Sequence, residues 1–208
     1  MIWFAGSVVA VLAALAMLPT SLVDGQYLPV GHDSFYHARR ILDTVLQPGG
    51  FYEFDPKMHF PEGDWITWPW GYDYLMAQVV RGLTALTGSQ NPMKVLVHLP
   101  PLFVLLGVAL VLAIAAAVKL PPALRVVAVL CFAFSPQTQI LFGVGSIDHH
   151  WAEQLFALGM VLCGLRWLER PESGPRTAVL GALLGASMVY QAGLFMLQLP
   201  VLIALAIL

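Results

Sequence analysis

Residues 93–118 read MKVLVHLPPLFVLLGVALVLAIAAAV, an apolar run in which Lys94 is the only acidic or basic residue apart from a histidine. A helix needs about 20 apolar residues to cross the roughly 30 Å hydrocarbon core of a bilayer, and this run supplies them. The whole chain has the same character, because 59% of its 208 residues are hydrophobic and only 11% are charged. We therefore predict a membrane protein and exclude a soluble cytosolic enzyme and a disordered tail.

The charge balance argues against a nucleic-acid partner. Ten Lys and Arg residues against twelve Asp and Glu residues give a net charge of −2. Proteins that bind a phosphate backbone instead present a basic patch or stripe. We predict that the chain binds no nucleic acid.

Five further apolar runs accompany residues 93–118. They cover residues 2–23, 122–142, 150–168, 177–192 and 193–208. The first could instead be a signal peptide, but it lacks a basic n-region and continues beyond the usual length of such a segment. The predicted fold class is all-α, a polytopic transmembrane helix bundle with about six spans.

Basic residues in two short loops predict the orientation of these spans. They are Lys119 and Arg125 between the second and third spans, and Arg166, Arg170 and Arg176 between the fourth and fifth. Short loops rich in Lys and Arg lie on the cytoplasmic side of a membrane. Segments 24–92 and 143–149 are therefore predicted on the extracytoplasmic face.

The predicted extracytoplasmic loop 24–92 is too long and too polar to be a simple turn, since it holds eight of the twelve acidic residues. Apolar residues recur at intervals of three and four over 33–46 and about 70–87, which predicts two helices. Residues 48–69, rich in Pro, Gly and aromatic side chains, predict an ordered but irregular segment that we call the strap. Long ordered loops commonly carry function.

The first loop helix carries three polar side chains on one face. Asp33, His37 and Arg40 stand at positions i, i+4 and i+7, so all three project in the same direction. Asp33 also suits a helix N-terminus, where a carboxylate can cap the backbone and is favoured by the helix dipole. The spacing alone leaves both interpretations of Asp33 open.

A second polar group lies where the loop 143–149 enters the fourth span. Asp148, His149 and His150 adjoin a lipid-embedded helix, and ionisable groups at membrane depth mark functional sites by default. Asp148 and His150 offer one oxygen and one nitrogen, a set that suits Mn²⁺ or Mg²⁺. Glu153, one turn further, could support such a metal. Helix capping by Asp148, with the histidines reaching towards water, is the alternative.

His59 lies in the strap beside Lys57. An imidazole and an ammonium group together could receive a phosphate or another anion. A solvated loop position with no such role is the alternative.

These features together resemble the GT-C superfamily of glycosyltransferases, which use lipid-linked sugars. The stretches GHDSFYHARR (31–40) and GSIDHH (145–150) look like the first and second Asp-x-Asp-type motifs of the catalytic subunit of oligosaccharyltransferase, the PglB and AglB family. The second motif has the form Asp-x-His, which is similar to archaeal members. The stretch from FPEG (60–63) to WPWG (68–71) also resembles a Pro- and Gly-containing segment of the family's first loop.

The resemblance implies a metal-assisted catalytic site. Asp33 and Asp148 would be the catalytic residues, and together with His150 they would bind a divalent cation, Mn²⁺ or Mg²⁺. Asp33 would also hydrogen-bond the acceptor amide and weaken the delocalisation of its lone pair. These roles come from the family and not from the spacing of the residues.

The same resemblance implies roles for the surrounding residues. His149 and His59 would approach the phosphate of the lipid-linked substrate. The residues that would support the metal ligands without touching the metal are His37, Arg40 and Glu153.

The implied reaction is the transfer of a glycan from a polyprenyl phosphate or pyrophosphate lipid to asparagine of an acceptor protein. The implied partners are a lipid-linked oligosaccharide, an acceptor with an Asn-x-Ser/Thr sequence, and membrane lipids. The implied location is the inner or plasma membrane of a prokaryote, with the active site on the extracytoplasmic face.

The family also has further spans, a late outer loop with an essential Glu, and a soluble C-terminal domain, and residues 1–208 contain none of the corresponding motifs. We therefore expect the chain to be the N-terminal part of such a transmembrane domain, inactive by itself. Three alternatives stay open. They are another GT-C glycosyltransferase, such as a protein mannosyltransferase or an aminoarabinose-transferase relative, a transporter or ion-pathway fragment, and a non-catalytic membrane scaffold.

Overall fold

The computed structural model describes residues 2–47, 53–66, 68, 70–169, 174–179 and 181–182. Within these residues the chain is mostly helical, which confirms the predicted class. The predicted spans 177–192 and 193–208 fall outside the described residues, apart from 177–179 and 181–182.

The secondary structure consists of long helices joined by short helices and two small hairpins. The helices are α1 Ile2–Leu15, α2 Leu18–Ser21, α3 His32–Leu46, α4 Trp70–Thr87, α5 Pro92–Val97, α6 Leu99–Ala117, α7 Pro122–Phe134, α8 Pro136–Phe142 and α9 His150–Glu169. The antiparallel strand pairs are β1 Leu22–Val23 with β2 Gln26–Tyr27, and β3 Phe54–Asp55 with β4 Asp64–Trp65. The sequence predicted neither hairpin, because each strand has only two residues.

Two stretches in the described part are long and apolar enough to cross a membrane, Ile2–Ser21 and Pro92–Ala117. The second begins where the Asn91 side chain accepts a hydrogen bond from the Lys94 backbone N–H at 2.9 Å. This bond satisfies one of the donors that a helix start leaves without an intrahelical partner. These two stretches match the runs predicted at 2–23 and 93–118.

The run predicted as a single span at 122–142 is instead a bent pair of helices. Helices α7 and α8 meet at an angle of 58°. The break lies at Ser135, which has an extended backbone, because the proline at 136 has no N–H to donate and disfavours a helical conformation in the residue before it. The bent pair is either one broken span or a re-entrant loop, so the span predicted at 122–142 stays a prediction.

Helix α9 covers the run predicted as the fourth span. Its 20 residues are long enough to cross a bilayer. Both ends of α9 are polar, since the helix carries Glu153 near its start and Arg166 and Glu169 near its end. Helix α9 is not one of the two candidate spans. The described residues thus contain two candidate spans, or three with the bent pair, so the predicted total of about six is not confirmed.

The long helices pack through small side chains and expose large apolar ones. Helix α6 packs against α1, α7 and α9. At Gly107 on α6 an added Cβ would overlap the Phe132 ring of α7, so the two helices approach closely because this position has no side chain. Large side chains such as Phe4, Leu12 and Leu106 are exposed. Such surfaces suit contact with lipid.

The two predicted loop helices are confirmed as α3 and α4, and they pack against each other. Their shared core is apolar and continues onto α5. The fully or almost fully buried side chains are Ala38, Ile41, Tyr72, Ala77, Val80, Leu96 and Val97. The loop 24–92 is therefore anchored to the membrane helices and does not stand apart from them.

The strap is fixed to α3 by polar contacts. Arg39 forms an ion pair with the fully buried Asp55, which also accepts a hydrogen bond from the Lys57 backbone N–H at 2.9 Å. Burial raises the pKa of Tyr36 to about 12, so its hydroxyl stays protonated and donates to Met58 Sδ at 3.1 Å. These contacts hold the strap over one side of α3.

The Arg39–Asp55 pair should make stability depend on acid pH. Burial alone would raise the pKa of Asp55, but the Arg39 guanidinium and the Lys57 N–H outweigh it and hold this pKa below its ordinary value. The stabilisation is therefore complete above about pH 4 and is lost as the pH falls through the lowered pKa of the folded state. We expect thermal unfolding in detergent to show a falling Tm over that range.

The variant Asp55→Asn should have a lower Tm at neutral pH, because its free energy of unfolding falls by roughly 1–3 kcal/mol. Its Tm should also depend less on pH in the acid range. Asp24→Asn is the matched control, because Asp24 is exposed in the β1–β2 turn and asparagine tolerates its φ of 50°. An acid dependence as steep in Asp55→Asn as in the unmodified chain would contradict this assignment.

Candidate functional site

Residues 143–149, between α8 and α9, are held by backbone hydrogen bonds to α1, to α5 and to the segment before α3. The Gly145 N–H donates to the Val97 carbonyl at 2.9 Å, and the Gly145 carbonyl accepts from the Val30 N–H at 2.8 Å. Gly145 has a φ of 85°, a conformation that favours glycine. An added Cβ there would lie 2.7 Å from Ser21 Oγ. This loop therefore fixes where α9 begins relative to α3 and α5.

Four ionisable side chains meet where α9 begins, and we call them the α9 cluster. His149 Nδ1 lies 2.9 Å from Asp148 Oδ1, and His149 Nε2 lies 3.5 Å from Glu153 Oε1. His150 Nδ1 lies 2.7 Å from Glu153 Oε2, and His150 Nε2 lies 4.0 Å from Asp148 Oδ2. Each carboxylate thus approaches both imidazoles, and the cluster offers oxygen and nitrogen ligands together.

Helix α3 adds His37 to this cluster. His37 Nε2 lies 3.3 Å from His149 Nδ1 and 3.9 Å from Asp148 Oδ1. The His37 side chain is completely buried. The two motifs that looked separate in the sequence therefore share one site, with the first loop helix supplying one wall.

Asp73, on α4, is a site residue that the sequence analysis did not single out. Its Oδ1 lies 2.6 Å from His37 Nδ1, and its Oδ2 accepts a hydrogen bond from Arg40 Nε at 2.6 Å. A signal was present, because Asp73 shares the buried face of α4 with Met76 and Val80. A carboxylate on an otherwise apolar helix face requires a partner.

Two groups of described residues bring potential metal ligands within 4.8 Å of one another. Neither group, among the described residues, includes Asp33, which is exposed in the first turn of α3. The N-cap of α3 is Gly31, so the interpretation of Asp33 as the cap is wrong. The two groups are His37, Asp148 and His149, and His149, His150 and Glu153.

The carboxylates of the α9 cluster are suited to a cation. Burial alone would raise the pKa of Asp148, but the neighbouring imidazoles, chiefly His149, outweigh it and lower this pKa to about 2. Asp148 Oδ1 and Glu153 Oε1 are buried, and neither accepts a well-aligned hydrogen bond from the described residues. These two oxygens therefore have lone pairs to offer to a positive ion.

His59 is placed by contacts within the strap. Its side chain is 78% exposed, and its Nδ1 lies 2.9 Å from Asp64 Oδ2. No described contact joins His59 to the α9 cluster. Its suggested role with a lipid phosphate stays a prediction.

An apolar cavity of about 570 Å³ lies between α4, α6 and α9. Trp151 Nε1 donates a hydrogen bond to the Tyr72 hydroxyl at 3.2 Å, and both side chains line the cavity. The Tyr72 ring centroid also lies 5.4 Å from that of His37. Tyr72 therefore contacts the cavity on one side and the buried histidine on the other. Other lining residues are Leu75, Phe103, Leu106 and Leu155.

Comparison with known proteins gives one informative result. No family model matches the chain, and no curated protein matches it either. The structure is similar to that of the archaeal oligosaccharyltransferase AglB from Archaeoglobus fulgidus, which was solved in complex with an inhibitory peptide and a dolichol-phosphate. The TM-score is 0.74 at 19% sequence identity, over 91% of this chain and 23% of that one. At this identity the likeness shows the fold alone, and this chain spans about a quarter of AglB's length.

Gly145→Ala should disturb the site and lower the stability of the chain. A side chain at this φ costs about 1–2 kcal/mol, and the new Cβ would also press against Ser21 Oγ and the Val30 side chain. Gly164→Ala is the matched control, since an added Cβ there meets no atom within 4 Å and alanine favours the interior of α9. We expect a lower Tm in detergent for Gly145→Ala and an equal or higher one for Gly164→Ala. Equal Tm values for the two variants would contradict this account of the loop.

Proposed function

We propose that this chain forms the donor side of an oligosaccharyltransferase-type active site. Such an enzyme moves a glycan from a polyprenyl phosphate or pyrophosphate lipid to the asparagine of an acceptor protein carrying an Asn-x-Ser/Thr sequence. The observation that supports the proposal is the meeting of Asp148, His149, His150 and Glu153 with His37 in a fold similar to that of AglB.

The donor set of the α9 cluster fits a divalent cation. Asp148 and Glu153 supply oxygens that accept no well-aligned hydrogen bond from the described residues, and the adjacent imidazoles supply nitrogens. A mixed oxygen and nitrogen set suits Mn²⁺ or Mg²⁺ better than a thiolate-selective ion. The bound ion would neutralise the charge that develops on the departing phosphate.

Individual residues then have distinct roles in the proposal. Asp148 and His150 would hold the ion, and His149 would approach the phosphate of the lipid. Asp33 is proposed to act on the acceptor amide, and its exposed position in the first turn of α3 leaves it accessible to a second substrate. His59 would assist with the phosphate only if the strap brings it closer than its present contact with Asp64 allows.

The neighbouring cavity suits the tail of the same lipid. An isoprenoid chain has no hydrogen-bonding groups, so it is accommodated best by apolar walls such as those of α4, α6 and α9. Tyr72 contacts both the cavity and His37, so a tail in the cavity would place its phosphate near the buried end of the cluster.

The acceptor side of the reaction is not assigned to any residue beyond Asp33. The chain corresponds to 23% of AglB, so transfer is proposed for the intact protein. The proposal places this protein in a prokaryotic plasma membrane, with the α9 cluster on the extracytoplasmic face.

Asp148→Asn should abolish glycan transfer by the intact protein, reducing the rate at least 10²-fold, because the isosteric amide removes the charge that binds the cation. Asp33→Asn should cause a comparable loss through the acceptor amide. Membrane insertion and helical content by circular dichroism should stay unchanged in both. The matched control is Asp24→Asn, an exposed carboxylate of the same loop that lies outside the site. Transfer near the normal rate in Asp148→Asn would refute the metal-site assignment.

Chelation provides an independent test of the cation. EDTA should stop transfer of a glycan from a dolichyl-linked donor to an Asn-x-Thr peptide, and excess Mn²⁺ or Mg²⁺ should restore it. Transfer that is indifferent to EDTA would favour a metal-independent GT-C enzyme with another acceptor. Ion flux through the reconstituted protein without any transfer would favour a transport role.

A further inference from the structure

The buried hydrogen bonds behind the α9 cluster begin at Asp73. This carboxylate is completely buried, as is His37, and Arg40 is 2% exposed. Asp73 Oδ2 accepts from Arg40 Nε, and Asp73 Oδ1 lies the same 2.6 Å from His37 Nδ1. None of the roles proposed above uses Asp73, and Arg40 has so far been given only a general supporting role.

The chemistry of these groups fixes the direction of the first hydrogen bond. Arginine stays protonated in proteins, and a carboxylate paired with it is ionised and can only accept. The proton between Asp73 and His37 must therefore sit on His37 Nδ1. In a neutral imidazole the other nitrogen, Nε2, then carries a lone pair.

This constraint passes on to the next histidine. His37 Nε2 lies 3.3 Å from His149 Nδ1, and two lone pairs at that distance would repel each other. His149 Nδ1 must then carry its proton and donate it to His37 Nε2, while Asp148 Oδ1 lies 2.9 Å from the same nitrogen. The lone pair of His149 is thereby placed on Nε2, which faces Glu153 Oε1 at 3.5 Å.

We propose that Asp73, held by Arg40, is a positioning residue that sets the Nδ1–H tautomer of both His37 and His149. With this tautomer His149 directs a nitrogen lone pair towards the Glu153 and His150 side of the cluster. His149 would then be a further ligand of the cation, which replaces the contact with the lipid phosphate given to it above. Only this last step, the benefit to a cation, rests on the proposed function. The tautomers themselves follow from the hydrogen bonds of two neutral imidazoles.

A matched control is built into the same helix. Arg39 and Arg40 are consecutive, and each pairs with a completely buried aspartate, Asp55 in the strap and Asp73 in α4. The Asp55 pair lies outside the α9 cluster, so Asp55→Asn removes a buried carboxylate without touching the histidines.

The test is ¹⁵N NMR of the full chain, labelled at histidine and reconstituted in nanodiscs. The His37 and His149 signals are assigned from the variants His37→Gln and His149→Gln. In the unmodified chain we expect both residues to carry the proton on Nδ1 and none on Nε2. A proton on Nε2 of either residue would overturn the inference, and the tautomers themselves are measured on the unmodified chain.

In Asp73→Asn the amide can donate as well as accept, so both residues should shift towards the Nε2–H tautomer, whereas Asp55→Asn should leave them unchanged. The same shift in Asp55→Asn would overturn the inference, because it would show a general response to losing a buried pair.

Mn²⁺ binding, followed by electron paramagnetic resonance, separates this inference from the proposed function. Asp73→Asn should weaken Mn²⁺ binding about 10–100-fold, the usual effect of removing a residue that orients a metal ligand, and Asp55→Asn should not. The predicted tautomers together with no Mn²⁺ binding by the unmodified chain would support the positioning role and refute the proposed cation. Mn²⁺ binding with the opposite tautomers would refute the positioning role alone.

Discussion

The Asp73 carboxylate accepts hydrogen bonds from two buried groups of another helix, and the position of the candidate site depends on this arrangement. Arg40 and His37 both lie on α3, one turn apart, and both reach Asp73 on α4. Three buried ionisable groups are costly to desolvate, and that cost is offset only when every partner is present. Asp73 both joins α3 to α4 and orients His37, so the packing of these two helices and the orientation of His37 depend on the same carboxylate.

The relation of the loop helices to the membrane helices follows from that pair. His37 faces the start of α9 because α3 is held against α4, and α4 in turn packs against α5 at the start of the second candidate span. The Gly145 loop approaches the same place from the other side through its bonds to Val97 and Val30. A polar site is thus assembled between a loop and the helix bundle that contains the two candidate spans, and each contributes residues that the other lacks.

Much of this fold could be predicted from local patterns. Apolar residues at intervals of three and four predicted the helices α3 and α4. The length of the apolar runs predicted the two candidate spans, Ile2–Ser21 and Pro92–Ala117. The break at Ser135 could also have been foreseen from Pro136. The meeting of His37 and His149 could not, because it depends on how helices 112 positions apart pack together. Asp73 could have been suspected from its place on the apolar face of α4 with Met76 and Val80, but its partners on α3 are shown only by the packing.

Arg39 and Arg40 are neighbours in sequence, and successive residues of a helix point about 100° apart around its axis. One therefore holds the strap through Asp55, while the other holds the histidines through Asp73. Helix α3 therefore makes one buried ion pair on each of two faces, and a rotation of the helix about its axis would move both pairs. The strap and the buried hydrogen bonds of His37 are therefore attached to one helix at different angles about its axis, so each attachment can be removed by a substitution of its own.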